Sequence, residues 1–187
     1  MNEFLVYLNK IRLLSAPAAE RIHKSFKLRK FPKGSYLIRE GEQHDWVIFV
    51  LSGLIRSYSF ENNVEVTKSF YWQNDLLITG TSLHPELPAA TSLQSVYDAL
   101  VLICPKEEFN RIYIDFPEFE HHGRIVLQRC FTQLSKLLDG IRMRNARDRY
   151  MFLLQEYPDL VLSVPNKHLA SFLGMSHITF SRMRSKR

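Results

Sequence analysis

The chain has 187 residues, 45% hydrophobic and 24% charged, with a net charge of +6 and two cysteines. This is the composition of an ordinary folded globular protein. It excludes a disordered chain and a disulfide framework, and no run of about 18 apolar residues offers a membrane-spanning helix.

Phe4, Leu5, Leu8, Ile11 and Leu13 predict a first helix, and a second short one is expected around Ala18 to Ser25. Glu3 and Lys10 interrupt the opening apolar segment, so it is not read as a signal peptide, and a cytoplasmic protein is expected. A β-rich block follows. Phe26–Phe31 alternates and ends at the turn Pro32-Lys33-Gly34-Ser35; Tyr36–Ile38 is a short strand closed by Gly41. Trp46–Leu51 is a continuous apolar run, as in a strand buried on both faces, and Gly53 ends it. Leu54–Phe60 and Val64–Trp72 flank the hairpin turn Glu61-Asn62-Asn63, Asn74-Asp75 is a further turn, and Ser92–Val96 and Ala99–Ile103 are the last two strands. Short strands at this spacing predict a sandwich or barrel rather than βαβ units.

Helical patterns resume after Pro105. Lys106–Ile114 is one helix, Phe116-Pro117 interrupts it, and a long helix begins at Glu118. Phe119, Val126, Cys130, Gln133 and Leu137 form one stripe on it; Leu127, Phe131, Leu134, Leu138 and Ile141 form a second. Two stripes predict two partners, the barrel and a second copy of the chain. Gly140 reads as a hinge, and Arg142–Glu156 as a further helix with Ala146, Tyr150, Leu153 and Leu154 inward.

The tail from Asn166 to Arg187 reads as two short helices around a tight turn. Leu169, Ala170 and Leu173 are the apolar stripe of the first, Gly174 stops it, and Ser176 caps the second. Phe180 and Met183 give the second helix its buried side. His177, Ile178, Ser181, Arg182 and Ser185 lie opposite. Ala170 is small enough to let the helices cross closely. This is a helix-turn-helix pattern, whose second helix enters the DNA major groove. Charge agrees: Met1–Ile141 carries 16 Lys+Arg against 16 Asp+Glu, whereas Arg142–Arg187 carries 9 against 3. The positive excess needed for phosphate attraction therefore sits in the last quarter.

Glycine-punctuated barrel, long helix and terminal helix-turn-helix together resemble the Crp/Fnr family of bacterial transcription regulators. The residues carrying the resemblance are Phe31–Glu42, Val47–Arg56 and the tail Val164–Arg187. The resemblance implies an α+β fold: a jelly-roll-like, cyclic-nucleotide-binding-like barrel with N-terminal helices over 1–117, a dimerisation helix and hinge over 118–140, and a helix-turn-helix domain over 141–187. Gly34, Gly41 and Gly53 would turn barrel corners. Arg147–Pro158 and the tail look like the short, wingless members of Bacteroidetes-type bacteria. The effector pocket would fall on Ile78, Thr79, Gly80, Ala90 and Thr91. Ile78-Thr79 stands where cyclic-nucleotide binders have Gly-Glu, and Ala90-Thr91 where they have Arg-Ser, so a cyclic nucleotide is not expected. The iron–sulfur cysteines of oxygen-sensing members are absent too.

A barrel of this kind also suits a metal-dependent enzyme. It offers only His44 and His84, without a His-x-His pair, and Glu118 with His122 makes at most half a site, better read as a solvated polar pair. No nucleophile elbow, P-loop or Gly-x-Gly-x-x-Gly appears. Neither catalysis nor a cofactor is expected. The sequence therefore predicts a homodimer binding double-stranded DNA, with RNA polymerase as a further partner and an unidentified small effector. Arg182 is the expected base reader, with His177, Ile178, Ser181 and Ser185 beside it; Lys167, Ser176, Thr179 and Lys186 are expected on phosphates. The competing reading is a ligand-sensing module that binds a protein instead of DNA.

Overall fold

The computed structural model describes residues 1–78 and 87–185, which divide into two compact units: 1–57 with 70–128, and 58–69 with 129–187.

In the first unit, α1 (Asn2–Ile11) leads to α2 (Ala16–Ser25), whose N-terminus is capped by Ser15 Oγ accepting from the Ala18 N–H at 3.4 Å. Among the described residues eight strands follow: β1 (Lys27–Phe31), β2 (Tyr36–Ile38), β3 (Trp46–Ser52), β4 (Ile55–Glu61), β5 (Val64–Tyr71), β6 (Leu76–Ile78), β7 (Ser92–Ser95) and β8 (Ala99–Pro105). They form two four-stranded sheets, ordered β1-β8-β3-β6 and β2-β7-β4-β5, with antiparallel registers such as Phe49 opposite Leu102. The expected β-sandwich architecture is present. The sequence reading missed β6, three residues beyond the Asn74-Asp75 turn and too short to show a period.

The continuous apolar run of β3 has a direct cause. Val47, Phe49 and Leu51 point to a core shared with α1, α2 and α3 (Lys106–Asp115), together with Phe4, Leu8, Ile22 and Phe109. Ile48 and Val50 point the other way, into the core between the sheets with Ile55, Leu93 and Val101. A strand covered on both faces has no polar face to show. Gly34, Gly41 and Gly53 all have positive φ. At Gly53 a Cβ would also lie 2.4 Å from the Asp98 carbonyl oxygen, so only glycine fits there.

The long helix, α4, spans Phe119–Ile141. Its first turns are tied to the α1–α2 linker: Glu118 accepts from the Ser15 N–H at 2.9 Å, and His122 Nε2 meets the Arg12 carbonyl at the same distance. His122 is 1% exposed. Glu118 and His122 are thus linker anchors, not the solvated polar pair expected from their spacing. The first apolar stripe also needs correction. Phe119 and Val126 are buried, but Cys130 and Gln133 are exposed and Leu137 is half-buried. Gly140 is the last residue but one of the helix, which ends at Ile141; a Cβ there would lie 2.1 Å from the Phe152 ring, so glycine also permits close packing.

The second unit contains the β4–β5 hairpin tip, turned by Asn62 and Asn63 at φ 51° and 63°. It also contains the rest of α4, then α5 (Ala146–Glu156), α6 (Pro158–Ser163), α7 (Asn166–Phe172) and α8 (His177–Ser185). α5 starts four residues later than its periodicity suggests. Asn145 is extended and caps it, its Oδ1 accepting from the Asp148 N–H at 2.8 Å. Tyr150 and Leu153 are buried as predicted, while Ala146 and Leu154 are half-buried.

Candidate nucleic-acid interface and barrel pocket

The turn between α7 and α8 is built from local rules. Gly174 has φ 61°; its N–H donates to the Ser171 carbonyl at 3.1 Å, and the Met175 N–H donates to the Ala170 carbonyl at 3.0 Å. These two bonds satisfy the last carbonyls of α7 in a Schellman arrangement. Ser176 Oγ then accepts from the Thr179 N–H at 3.1 Å and lies 2.9 Å from Thr179 Oγ1, capping α8 as expected. Leu169, Ala170, Leu173 and Phe180 are buried, and the Phe180 and Tyr150 rings meet edge to face at 5.5 Å. Burying Phe180 fixes which side of α8 faces out.

That outer side carries His177, Ile178, Ser181, Arg182 and Ser185, all exposed, with Ile178 at 65%. Lys167, at the start of α7, is exposed as well; Ser176 is exposed and Thr179 half-buried. The structure therefore brings the predicted α7 and α8 residues to one unit with their side chains available, apart from Lys186, which lies outside the described residues. Arg184, not assigned a partner in the sequence reading, hydrogen-bonds Asn166 Oδ1 and ties the end of α8 to the start of α7. The two residues are 18 apart in the chain, so the pairing needed the fold to be seen.

Along α4, Leu127, Phe131, Leu134 and Leu138 are 71%, 69%, 53% and 42% exposed. Their 4-3-4 spacing is that of a coiled-coil seam. Large apolar side chains repeated in one line have little reason to stay in water.

Of the predicted pocket residues, Thr79 and Gly80 lie outside the described residues, and only the backbone of Ile78 is described, paired with Val47. Ala90 is exposed. The Thr91 hydroxyl receives a hydrogen bond from Ser57 Oγ at 3.0 Å. Ser57 shares a strand face with Ile55, which is in the inter-sheet core, so this pair lies on the inner face. Arg56 is 2% exposed but, being adjacent to Ser57, points to the opposite face, where its Nη2 donates to Gln94 Oε1 at 3.1 Å. Among the described residues no group of three His, Cys, Asp or Glu side chains is placed to hold a metal, and no helix is long and apolar enough to cross a membrane.

Residues 28–115 match the cyclic nucleotide-binding domain family. No curated protein sequence matches the chain. Three solved structures share its fold. FixK2 from Bradyrhizobium japonicum is 16% identical with a TM-score of 0.71, covering 86% of this chain and 83% of its own. The c-di-GMP responsive global regulator CLP from Xanthomonas campestris is 17% identical with a TM-score of 0.70, covering 92% and 91%. A transcriptional regulator of the crp/fnr family from Eubacterium rectale is 18% identical with a TM-score of 0.70, covering 92% and 83%.

Proposed function

We propose that this chain, which carries a cyclic nucleotide-binding domain in the architecture of Crp/Fnr-family transcription regulators, is a sequence-specific, DNA-binding regulator that works as a homodimer. The observation that carries the reading is α8. Its apolar anchor Phe180 is buried, and the opposite face presents Arg182, His177, Ser181 and the unpacked Ile178. Arginine pairs bidentately with guanine in the major groove, histidine donates to a base acceptor, and an aliphatic side chain suits a thymine methyl. The division of labour follows the chain: sensing over 1–117, pairing over 118–140, DNA contact over 141–187. The exposed seam of α4 supports pairing with a second copy, and pairing supplies the two recognition helices that a two-fold operator requires. RNA polymerase is the partner such a regulator would meet next, and the cytoplasm is where it would work.

The effector is a different matter. Thr91 stands where the phosphate-binding hydroxyl of cyclic-nucleotide binders is expected, and its hydroxyl bonds Ser57. Ala90 replaces the expected arginine, and the buried Arg56 faces away. A cyclic phosphate in that pocket would lose water without gaining a cation. The barrel is therefore read as taking another small effector, or as a scaffold.

Two titrations of the full-length chain test this. Mixed-sequence duplex DNA should bind, with affinity falling steeply and log-linearly as salt rises, because cations on the second unit displace counterions. Cyclic AMP and cyclic GMP should give flat calorimetric traces. DNA binding that is absent at low salt favours the protein-binding alternative. Submicromolar binding of either nucleotide defeats the pocket reading.

A further inference from the structure

Among the described residues β5 is the edge strand of its sheet, so one row of its backbone N–H and C=O groups has no neighbouring strand there. In the second unit the Ser171 side chain meets that row. The Thr67 N–H donates to Ser171 Oγ at 2.9 Å, and the Ser171 hydroxyl donates to the Glu65 carbonyl at 2.9 Å. An N–H and a C=O two residues apart on one edge are the pair that one residue of an added parallel strand would engage. Ser171 Oγ does both jobs from α7, the first helix of the helix-turn-helix. The hairpin's strands run on into the barrel sheet.

Thr67 is 3% exposed, and its Oγ1 is buried without a hydrogen-bond partner among the described residues. Docking makes two hydrogen bonds. Hydrogen bonds within a protein replace bonds to water and are individually worth little net, so the docked state is favoured only modestly over the released one. The contact also lies near the proposed DNA surface. Lys167 and Ser171 are four residues apart and share one face of α7. The tip of the hairpin that Ser171 grips carries exposed Glu61, Glu65 and Lys68, two acids against one base.

We propose that the Ser171 bridge to the β5 edge is a reversible latch that opposes DNA binding. Docked, it holds the acidic hairpin tip beside the face of α7 that Lys167 shares; released, it frees that face for a phosphate backbone. This role rests on the DNA-binding reading above. A latch that keeps most molecules docked lowers apparent DNA affinity by the fraction released.

The test uses the full-length chain, with Ser171→Ala to remove the hydroxyl and Ser171→Thr to retain it. Hydrogen exchange without DNA reads the latch: the Thr67 amide should be protected in the native chain and in Ser171→Thr, and should exchange faster in Ser171→Ala. Duplex DNA should bind Ser171→Ala roughly three- to tenfold more tightly than native, the gain expected from one net hydrogen bond. Ser171→Thr should return the affinity to the native level. A Thr67 amide unaffected by Ser171→Ala overturns the latch. Release of that amide with DNA affinity level or reduced overturns its opposition to DNA. A native chain with no DNA affinity removes the DNA reading and this role with it, while Thr67 exchange still reports the contact.

Discussion

At the scale of single residues, similar side chains are set apart by where the fold puts them. Arg182 is exposed on the face of α8 opposite Phe180, whereas Arg184, two residues on, is bonded to Asn166. In the proposed function Arg182 reads a base and Lys186 holds a phosphate. Losing a bidentate base contact costs about 1–3 kcal/mol and relaxes preference at one position. Arg182→Ala should blur one position in each half-site, while Lys186→Ala should weaken all sequences alike and make the salt slope shallower by roughly one unit. Uniform weakening by Arg182→Ala would show that Arg182 holds a phosphate. Asp75 makes a different kind of prediction. Its Oδ2 accepts from the Trp72 N–H at 2.9 Å, and burial pushes its carboxyl up from 3.8 to about 6. Between those values the folded chain binds more protons than the unfolded one, so this group's contribution is most favourable below pH 4 and declines as pH rises toward 6. Asp75→Asn keeps an acceptor for Trp72 and removes the proton. Unfolding free energies of native and variant should diverge across that window, and parallel pH profiles would contradict the burial of a protonatable carboxyl.

At the scale of elements, the surroundings of α4 change along its length. Near its start Phe119, His122 and Val126 are buried, and farther on Leu127, Phe131, Leu134 and Leu138 form an exposed line. Leu134→Glu places a charge in that seam at a position that is itself exposed. Sedimentation should show a native dimer at micromolar concentration and a variant shifted to monomer, with the helical signal retained. A native monomer would remove the seam as a pairing surface. The same helix shows how far the sequence was legible. The seam could be read because heptad spacing survives without knowing the fold. The other stripe could not be followed past Val126, because apolar spacing does not say where a neighbouring surface ends. At Gly140 the end of the helix was legible, whereas its close approach to the Phe152 ring was not, because glycine serves both and only the fold supplies the ring. By contrast, the α7–α8 turn was legible almost atom by atom, because Gly174 and Ser176 act through local backbone geometry. Ser171 escaped notice because its partners are 104 and 106 residues away.

At the scale of the whole molecule, the proposed function needs a barrel, a pairing helix and a recognition helix together. The barrel and the general architecture rest on the domain match and the shared fold. The function turns on whether α8 reads sequence from a two-fold arrangement. A dimer presenting two such helices meets half-sites about one helical turn apart, roughly 34–36 Å centre to centre. Selection of bound duplexes from a random DNA pool by the native full-length chain measures this most directly. The account predicts enrichment of one inverted repeat with half-sites 10–10.5 base pairs apart or a multiple of that. A pool that binds yet shows no enriched sequence, or an enriched site without two-fold symmetry, would contradict it.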